Sequence, residues 1–344
     1  MMTNKITAIP LSEAAGRLLD APSVLIFIHQ NPDGDALGSG FALAQMLRAM
    51  GKTARVVCAD AIPHRLGFLM REQESCAYIE GMEDGYALLC AVDTASVAQL
   101  GTLSPLAEKI SLSIDHHGQN DPFCAHCTVP TASAAGEVLV DLYGLFVSKG
   151  HLAPSADICR LLYAAIVSDT GSFKYSNTTK DTLLKAADLL ETISAADDGG
   201  DDIAMLNHRL FACRTIQELY AQRAGIDALR LFFDGAIGVV LLTQEMLTQS
   251  GLSRSDFGDI VGLPRSLEGV RIALSVKQDE TEPTSWRVSS RSTEDLDVSA
   301  VCASFGGGGH KRAAGCSITA PDAESALAVV VEAFGKLLGT EGAE

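Results

Sequence analysis

The stretch VLIFIHQNPDGDALGSGFALAQMLRAMG (24–51) opens as an unbroken apolar run, turns through Pro and Gly, and leaves as a helical pattern that Gly51 ends. A continuous apolar run of this kind marks a strand buried on both faces of a parallel sheet. Glycine is the usual stop for a helix. Between strand and helix the turn gathers His29, Asp33 and Asp35. Its two carboxylates stand one glycine apart, and they repel each other unless a cation compensates.

The rhythm repeats down the chain. ARVVCAD (54–60), YALLCAVDT (86–94) and KISLSIDHH (109–117) read as further strands, and helical patterns follow at about 133–149 and 156–168. Alternation of this kind predicts an α/β fold with a doubly wound, mostly parallel sheet. From about 180 to 224 the pattern is helical, broken by the acidic, Gly-rich AADDGGDD (195–202). AIGVVLLT (236–243), VRIALSVKQ (270–278) and SWRVSSRS (285–292) then read as strands, and a helix near 321–338 closes the chain. The chain has 344 residues, and single cores stop growing at roughly 250–300. The expected organisation is a first domain over 1–190, a helical linker over 191–229 and a smaller α/β domain over 230–344.

Composition narrows the function classes. The net charge is −17, from 26 basic and 43 acidic residues, which argues against a long duplex nucleic acid as partner, since that binding rests on a basic surface. A small phosphorylated ligand needs only local cations. No apolar run is long and uncharged enough for a membrane span, and the first residues do not read as a signal peptide. The nine Cys are scattered through apolar patterns without a framework, which favours a reducing cytoplasm. Cys124 and Cys127 form a CxxC, but no second pair lies at zinc-site spacing, and the segment reads as a loop and short strand.

Three strands of the first domain end in ionisable residues: His29 with Asp33 and Asp35, then Asp93, then Asp115 with His116 and His117. Asp169 joins them where a helical run meets a Gly turn. In an open α/β sheet the carboxyl ends of the strands form the ligand crevice. Any one of these Asp taken alone reads as a cap or turn residue. Together they would destabilise a cleft without cations, so the joint pattern reads as a metal centre. Carboxylates suit hard ions and imidazoles pull toward transition metals, which favours Mn²⁺ over Mg²⁺. Two ions bridged by a carboxylate and a water make a common phosphoester-hydrolysing centre.

At these residues the chain resembles the DHH phosphoesterase family, named for the triplet present here as Asp115, His116 and His117. HQNPDGDALGS (29–39), VDTAS (92–96), IDHHGQN (114–120) and AAIVSDTGSF (164–173) are similar to its four motifs, in order. FGGGGHKRAAG (305–315) resembles the Gly-rich motif of a DHHA1-type second domain. The resemblance implies that His29, Asp33 and Asp93 hold one Mn²⁺ and that Asp35, Asp93, His116 and Asp169 hold the other, with Asp93 bridging. Mg²⁺ or Co²⁺ would be substitutes. It implies that His117 contacts the scissile phosphate and that Asp115 supports the site from behind. TASAAGEVL (131–139) is similar to the family's small-residue segment that opens a helix near the site, and Glu137 is given no metal role. Lys174 and Asn177 are candidates to touch substrate.

In the second domain, Gly307, Gly308 and Gly309 let the backbone approach an anion closely, and His310, Lys311 and Arg312 follow directly. The resemblance implies that the glycines and His310 bind the substrate's nucleotide or terminal phosphate, and that Arg265 and Arg291 contact substrate. It points to the oligoribonuclease/pAp-phosphatase type: a two-metal hydrolase of short single-stranded oligoribonucleotides and of 3′-phosphoadenosine 5′-phosphate, with a homodimer left open. The alternatives are a cyclic-dinucleotide or pApA phosphodiesterase, a pyrophosphatase or polyphosphatase, and a non-catalytic nucleotide-binding relative.

Overall fold

The computed structural model describes residues 6–339 except 71, 72, 74, 119, 197, 198, 294 and 295, and leaves the side chains of Ser255 and His310 undescribed. One compact unit ends at Cys213 and a second begins at Arg214. That break falls inside the stretch read as the linker.

The first unit contains strands β1 (Thr7–Ala8), β2 (Ser23–Phe27), β3 (Thr53–Val57), β4 (Leu88–Val92), β5 (Leu112–Asp115) and β6 (Ala125–Thr128). Its helices are α1 (Leu11–Asp20), α2 (Gly34–Ala49), α3 (Ala135–Ser148), α4 (Ala156–Asp169), α5 (Lys180–Ala195) and α6 (Ile203–Asn207). The sheet order is β1-β6-β5-β4-β2-β3, and every pairing is parallel. From β2 the chain moves outward to β3, and from β4 it moves the other way to β5. The crevice of such a sheet lies where the order reverses, here between the carboxyl ends of β2 and β4.

Side-chain chemistry explains the layers. β4 is buried along its whole length, as the apolar run LLCAV requires. Residues of α2, α3 and α4 form one large core with the side of the sheet that carries Val24, Ile26 and Ile28. Phe27 on the other face and Phe41 in α2 are both fully buried, each contributing roughly 1.5–3 kcal/mol of apolar burial. Leu100, Leu103 and Ala107 cover the Leu25 and Phe27 face. They come from a 3₁₀ stretch, Val97–Lys109. Gly101 at φ 58° and Pro105 break the longer hydrogen-bond ladder there. Helix α2 meets α4 closely because Gly38 has no side chain: a Cβ there would sit 2.6 Å from the Leu161 carbonyl oxygen and 2.9 Å from Ala165.

The second unit contains α7 (Ile216–Asp227), β7 (Leu229–Phe232), β8 (Ile237–Leu242), α8 (Gln244–Ser250), α9 (Gly262–Arg265), β9 (Ile272–Gln278), β10 (Ser285–Ser292), α10 (Val298–Ser304), β11 (Gly308–His310), β12 (Ala313–Thr319) and α11 (Ala323–Leu338). Its sheet runs β11-β12-β10-β9-β8-β7, with β8 and β9 parallel and the remaining pairs antiparallel. Trp286 anchors its core, fully buried, with its indole N–H donating to the Ala320 carbonyl at 3.1 Å. Among the described residues no helix is long and apolar enough to cross a membrane.

Candidate metal centre

Helix α2 begins because the Asp33 carboxylate caps it: Oδ1 accepts from the backbone N–H groups of Asp35 (2.9 Å) and Ala36 (3.0 Å). That same oxygen lies 3.8 Å from His29 Nε2. A capping carboxylate and a candidate ligand are therefore one atom. Asp35 enters with the first turn and is 1% exposed. Its Oδ2 accepts from the N–H of Ala135 (2.7 Å), and its Oδ1 accepts from the N–H of Gly136 (2.9 Å) and the Ser39 hydroxyl (2.8 Å).

Asp93 follows β4 with φ at 54°, a left-handed conformation that Asp tolerates better than most residues. Asn31, Ser172 and Phe173 also have positive φ, so four strained positions stand in the loops that carry His29, Asp93 and Asp169. Strain of this kind collects at functional sites. His29 Nε2 lies 3.5 Å from Asp93 Oδ2. His116 Nε2 lies 3.8 Å from Asp35 Oδ2, 3.6 Å from Asp93 Oδ1 and 3.5 Å from Asp169 Oδ2. The structure thus brings His29, Asp33 and Asp93 into one group, and Asp35, His116 and Asp169 into another, with ligand-type atoms within 4.8 Å of one another. Asp93 faces both, through its two oxygens.

The hydrogen bonds fix the imidazoles. His29 Nδ1 is 2.7 Å from the Gln30 carbonyl and His116 Nδ1 is 3.3 Å from the Ala132 carbonyl. A carbonyl only accepts, so each Nδ1 carries the proton. Each Nε2 then faces carboxylate oxygens at 3.5–3.8 Å. Those separations are too long for hydrogen bonds and of the order expected of atoms that share one ion through bonds of about 2.0–2.2 Å. Asp93 Oδ1 is buried and has no hydrogen-bond partner.

The electrostatics show the same strain. Burial, then the charges of Asp93, Asp169 and Asp33, raise the Asp35 carboxyl well above its ordinary range. Burial also lifts Asp169 to about 7; His116 pulls against it, and Asp93 and Asp33 add to it. Burial disfavours the charged form of His29, yet the carboxylates of Asp33 and Asp93 beside it overcome that and push the imidazole up to about 11. A group of carboxylates that must either hold protons or trap a histidinium is a site built for cations.

Asp115 stands one step back. Its Oδ1 accepts from His116 N–H at 2.8 Å and from His117 Nδ1 at 2.7 Å. The bond to Asp115 outweighs burial and raises His117 to about 8. Burial opposes the ionised form of Asp115, and its bond to His117 holds the carboxyl below its ordinary value all the same.

Other expected residues fall elsewhere. The Asn177 amide donates to the backbone carbonyls of Ser133 and Asp169, both at 3.1 Å, so it braces the backbone. Cys124 and Cys127 flank His126 in and beside β6 and are buried free thiols. In the second unit, Arg291 on β10 lies 3.5 Å from Asp259 and donates to the Ser290 carbonyl at 3.0 Å. Arg265 ends α9 and is exposed. Gly307 and Gly309 are demanded by close packing on β12; a Cβ at Gly309 would meet the Ala313 carbonyl oxygen at 2.5 Å. The glycine run therefore enters an edge strand, whose outward N–H groups the sheet does not use. Register places His310 and Arg291 in one row, each opposite Ala313; the His310 side chain lies outside the described residues.

The amides of Ala135 and Gly136 that grip Asp35 were not anticipated. The small residues of TASAAGEVL are their signal: Gly136 packs against Ala165, where a Cβ would clash.

A family model described as the DHH family, N-terminal domain, matches residues 23–166, and one described as the DHHA1 domain matches residues 238–336. A bifunctional oligoribonuclease and PAP phosphatase, NrnA, from Thermus thermophilus is 32% identical over 321 residues, spanning 93% of this chain and 91% of that protein. The protein of the same name from Bacillus subtilis is 26% identical over 308 residues, spanning 86% and 89%. Among solved structures, an exopolyphosphatase-related protein from Bacteroides fragilis is similar with a TM-score of 0.84 over 96% of each chain, at 21% identity, a likeness of fold alone.

Proposed function

Since the chain belongs to the DHH family, with a DHHA1 domain as its second part, we propose that it is a Mn²⁺-dependent phosphoesterase that hydrolyses short RNA oligonucleotides and 3′-phosphoadenosine 5′-phosphate to mononucleotides. The observation that carries this reading is the pair of Asp/His groups that Asp93 faces, Oδ2 toward His29 and Oδ1 toward His116. The names of the Thermus and Bacillus relatives supply the substrate class.

The residues present fit metal ions. Two imidazole Nε2 atoms converge with four carboxylates, and the buried Asp93 Oδ1 among them has no hydrogen-bond partner. His29, Asp33 and Asp93 would hold one ion, and Asp35, Asp93, His116 and Asp169 the other. When bound, the pair supplies a water of lowered pKa and a charge clamp on the phosphoryl oxygens.

The chain's own residues do the rest. His117, held through Nδ1 by Asp115, whose bond raises it in the metal-free protein, is the group we assign to a phosphoryl oxygen, where a protonated ring donates and favours the charge that develops there. Asp115 sets the ring's orientation through Nδ1 and does not itself meet substrate. In the second unit Arg265, Arg291, Gly307, Gly308, Gly309 and His310 are the residues we assign to substrate binding, with edge-strand amides offered at Gly308 and Gly309; guanidinium groups suit phosphate through paired hydrogen bonds.

The test is hydrolysis of a dinucleotide, a cyclic dinucleotide and 3′-phosphoadenosine 5′-phosphate, each with Mn²⁺, Mg²⁺ and Co²⁺. Turnover of the first and third, fastest with Mn²⁺, is expected. Metal-loaded protein inert toward both overturns the proposal, and faster cleavage of the cyclic substrate reassigns it.

A further inference from the structure

We propose that Glu137 is a positioning residue for the Asp35–His116–Asp169 group, acting through a buried polar network that fixes two of its walls. The inference rests on the metal reading above. Glu137 lies in the first turn of α3 and is 3% exposed, beside Ser133 at 1% and Thr182 at 0%. One carboxylate oxygen accepts from the Ser133 N–H (3.0 Å), the Ser133 hydroxyl (2.8 Å) and the Thr182 hydroxyl (3.0 Å). Lys185 Nζ lies 3.5 Å from the other. Burying an ionised carboxylate is costly unless donors surround it, and here they do. Burial works against the charge, but the Ser133 and Thr182 bonds hold Glu137 below its ordinary value.

An apolar residue would fill this helical position at less cost, so the network needs a reason. Helix α3 has Ala134 at its N-cap and no side-chain cap. A serine or aspartate there would compete for the N–H of Gly136 or Glu137, the second and third of the helix. With Ala134, the N–H groups of Ala135 and Gly136 remain available and both go to Asp35. Something else must then hold the chain as it enters the helix, and the carboxylate of Glu137 does so by reaching back to Ser133. The Ser133 carbonyl in turn accepts from Asn177, whose amide also donates to the Asp169 carbonyl. Ser133 thereby links the cradle of Asp35 to the backbone of Asp169. Glu137 touches neither ligand and steadies both. The group formed by His29, Asp33 and Asp93 lies outside these bonds, so the effect is selective.

Partners behind metal ligands typically change affinity by about 10–100-fold. The test uses the full chain stripped by chelator and titrated with Mn²⁺ by calorimetry, as wild type, Glu137→Gln and Asn177→Ala. Asn177 is exposed, so its loss leaves the core intact. The expected result is two ions in the wild type. In both variants one ion binds about 10–100-fold more weakly and the other is unchanged, and excess Mn²⁺ restores turnover. Unchanged binding of both ions in both variants overturns the inference. So does equal weakening of both ions with a lower melting temperature, which marks general loosening. A wild type that binds no Mn²⁺ overturns the metal reading itself, and the network with it.

Discussion

Asp169→Asn should make the chelated protein more stable and the metal-loaded protein less so. The folded state raises the Asp169 carboxyl from an ordinary 3.8 to about 7. Between those values the folded protein keeps a proton that the unfolded chain has released. The sign follows: stability is present in full below pH 3.8 and is lost as the pH rises through about 7. A rise of about three units at 1.36 kcal/mol each sets a ceiling on the order of 4 kcal/mol. The side chain is 29% exposed, so water screens part of that. Asparagine also gives up the attraction to His116, 3.5 Å away. A gain of about 1–3 kcal/mol at pH 8 is the expected outcome. Urea unfolding in the presence of EDTA measures it, followed by circular dichroism, because the single Trp lies in the second unit. The advantage should shrink steadily from pH 8 toward pH 5. With Mn²⁺ the order should reverse, the wild type gaining stability by mass action and the variant gaining little. A variant less stable than wild type at pH 8 under EDTA, or an advantage indifferent to pH, would refute the reasoning.

Three further outcomes are expected. Asp93→Ala removes the carboxylate that faces both groups and should lower turnover by at least about 10²–10³-fold; near-normal rates would contradict the proposed bridge. Gly38→Val drives a branched side chain into the Leu161 carbonyl and Ala165, and should cost about 1–3 kcal/mol in a denaturant titration. Arg291→Ala should raise KM about tenfold with kcat changed less than threefold, and the reverse pattern would place Arg291 in the chemical step.

The ligand-bearing turns were legible because strands that end in Asp and His announce both the sheet and its crevice. His29, Asp93 and His116 needed only strand periodicity to be brought to one edge. What surrounds them was not legible. Asp35 is held by amides of Ala135 and Gly136, a hundred residues downstream, and no local pattern reports which helix start will face which carboxylate. The two-residue strand β1 has too few side chains to show alternation. The strand β11 was hidden by its glycines, which read as a loop because close packing on β12 leaves no room for a side chain at Gly309 within it or at Gly307 just before it. The 3₁₀ cover over Leu25 and Phe27 keeps a helical spacing, and only Gly101 and Pro105 betray that it is not an α-helix.

Asp33 spends one oxygen on starting α2 and on facing His29. On the metal reading, loading the centre would therefore also be a folding event. An ion drawn to that oxygen competes with the two N–H groups that begin the helix, while proper seating of the helix aims Asp35 at its own group. The remaining parts arrive from segments spread between His29 and Asp169, so the centre cannot exist in a partly made chain. It closes only where α4, which carries Asp169, packs on α2, which carries Asp35, so on the metal reading a chain that held its ions would have docked those two helices. Metal occupancy would then be a record of successful folding, and variants that slow the docking of those two helices should appear first as under-metallated protein, before any loss of yield.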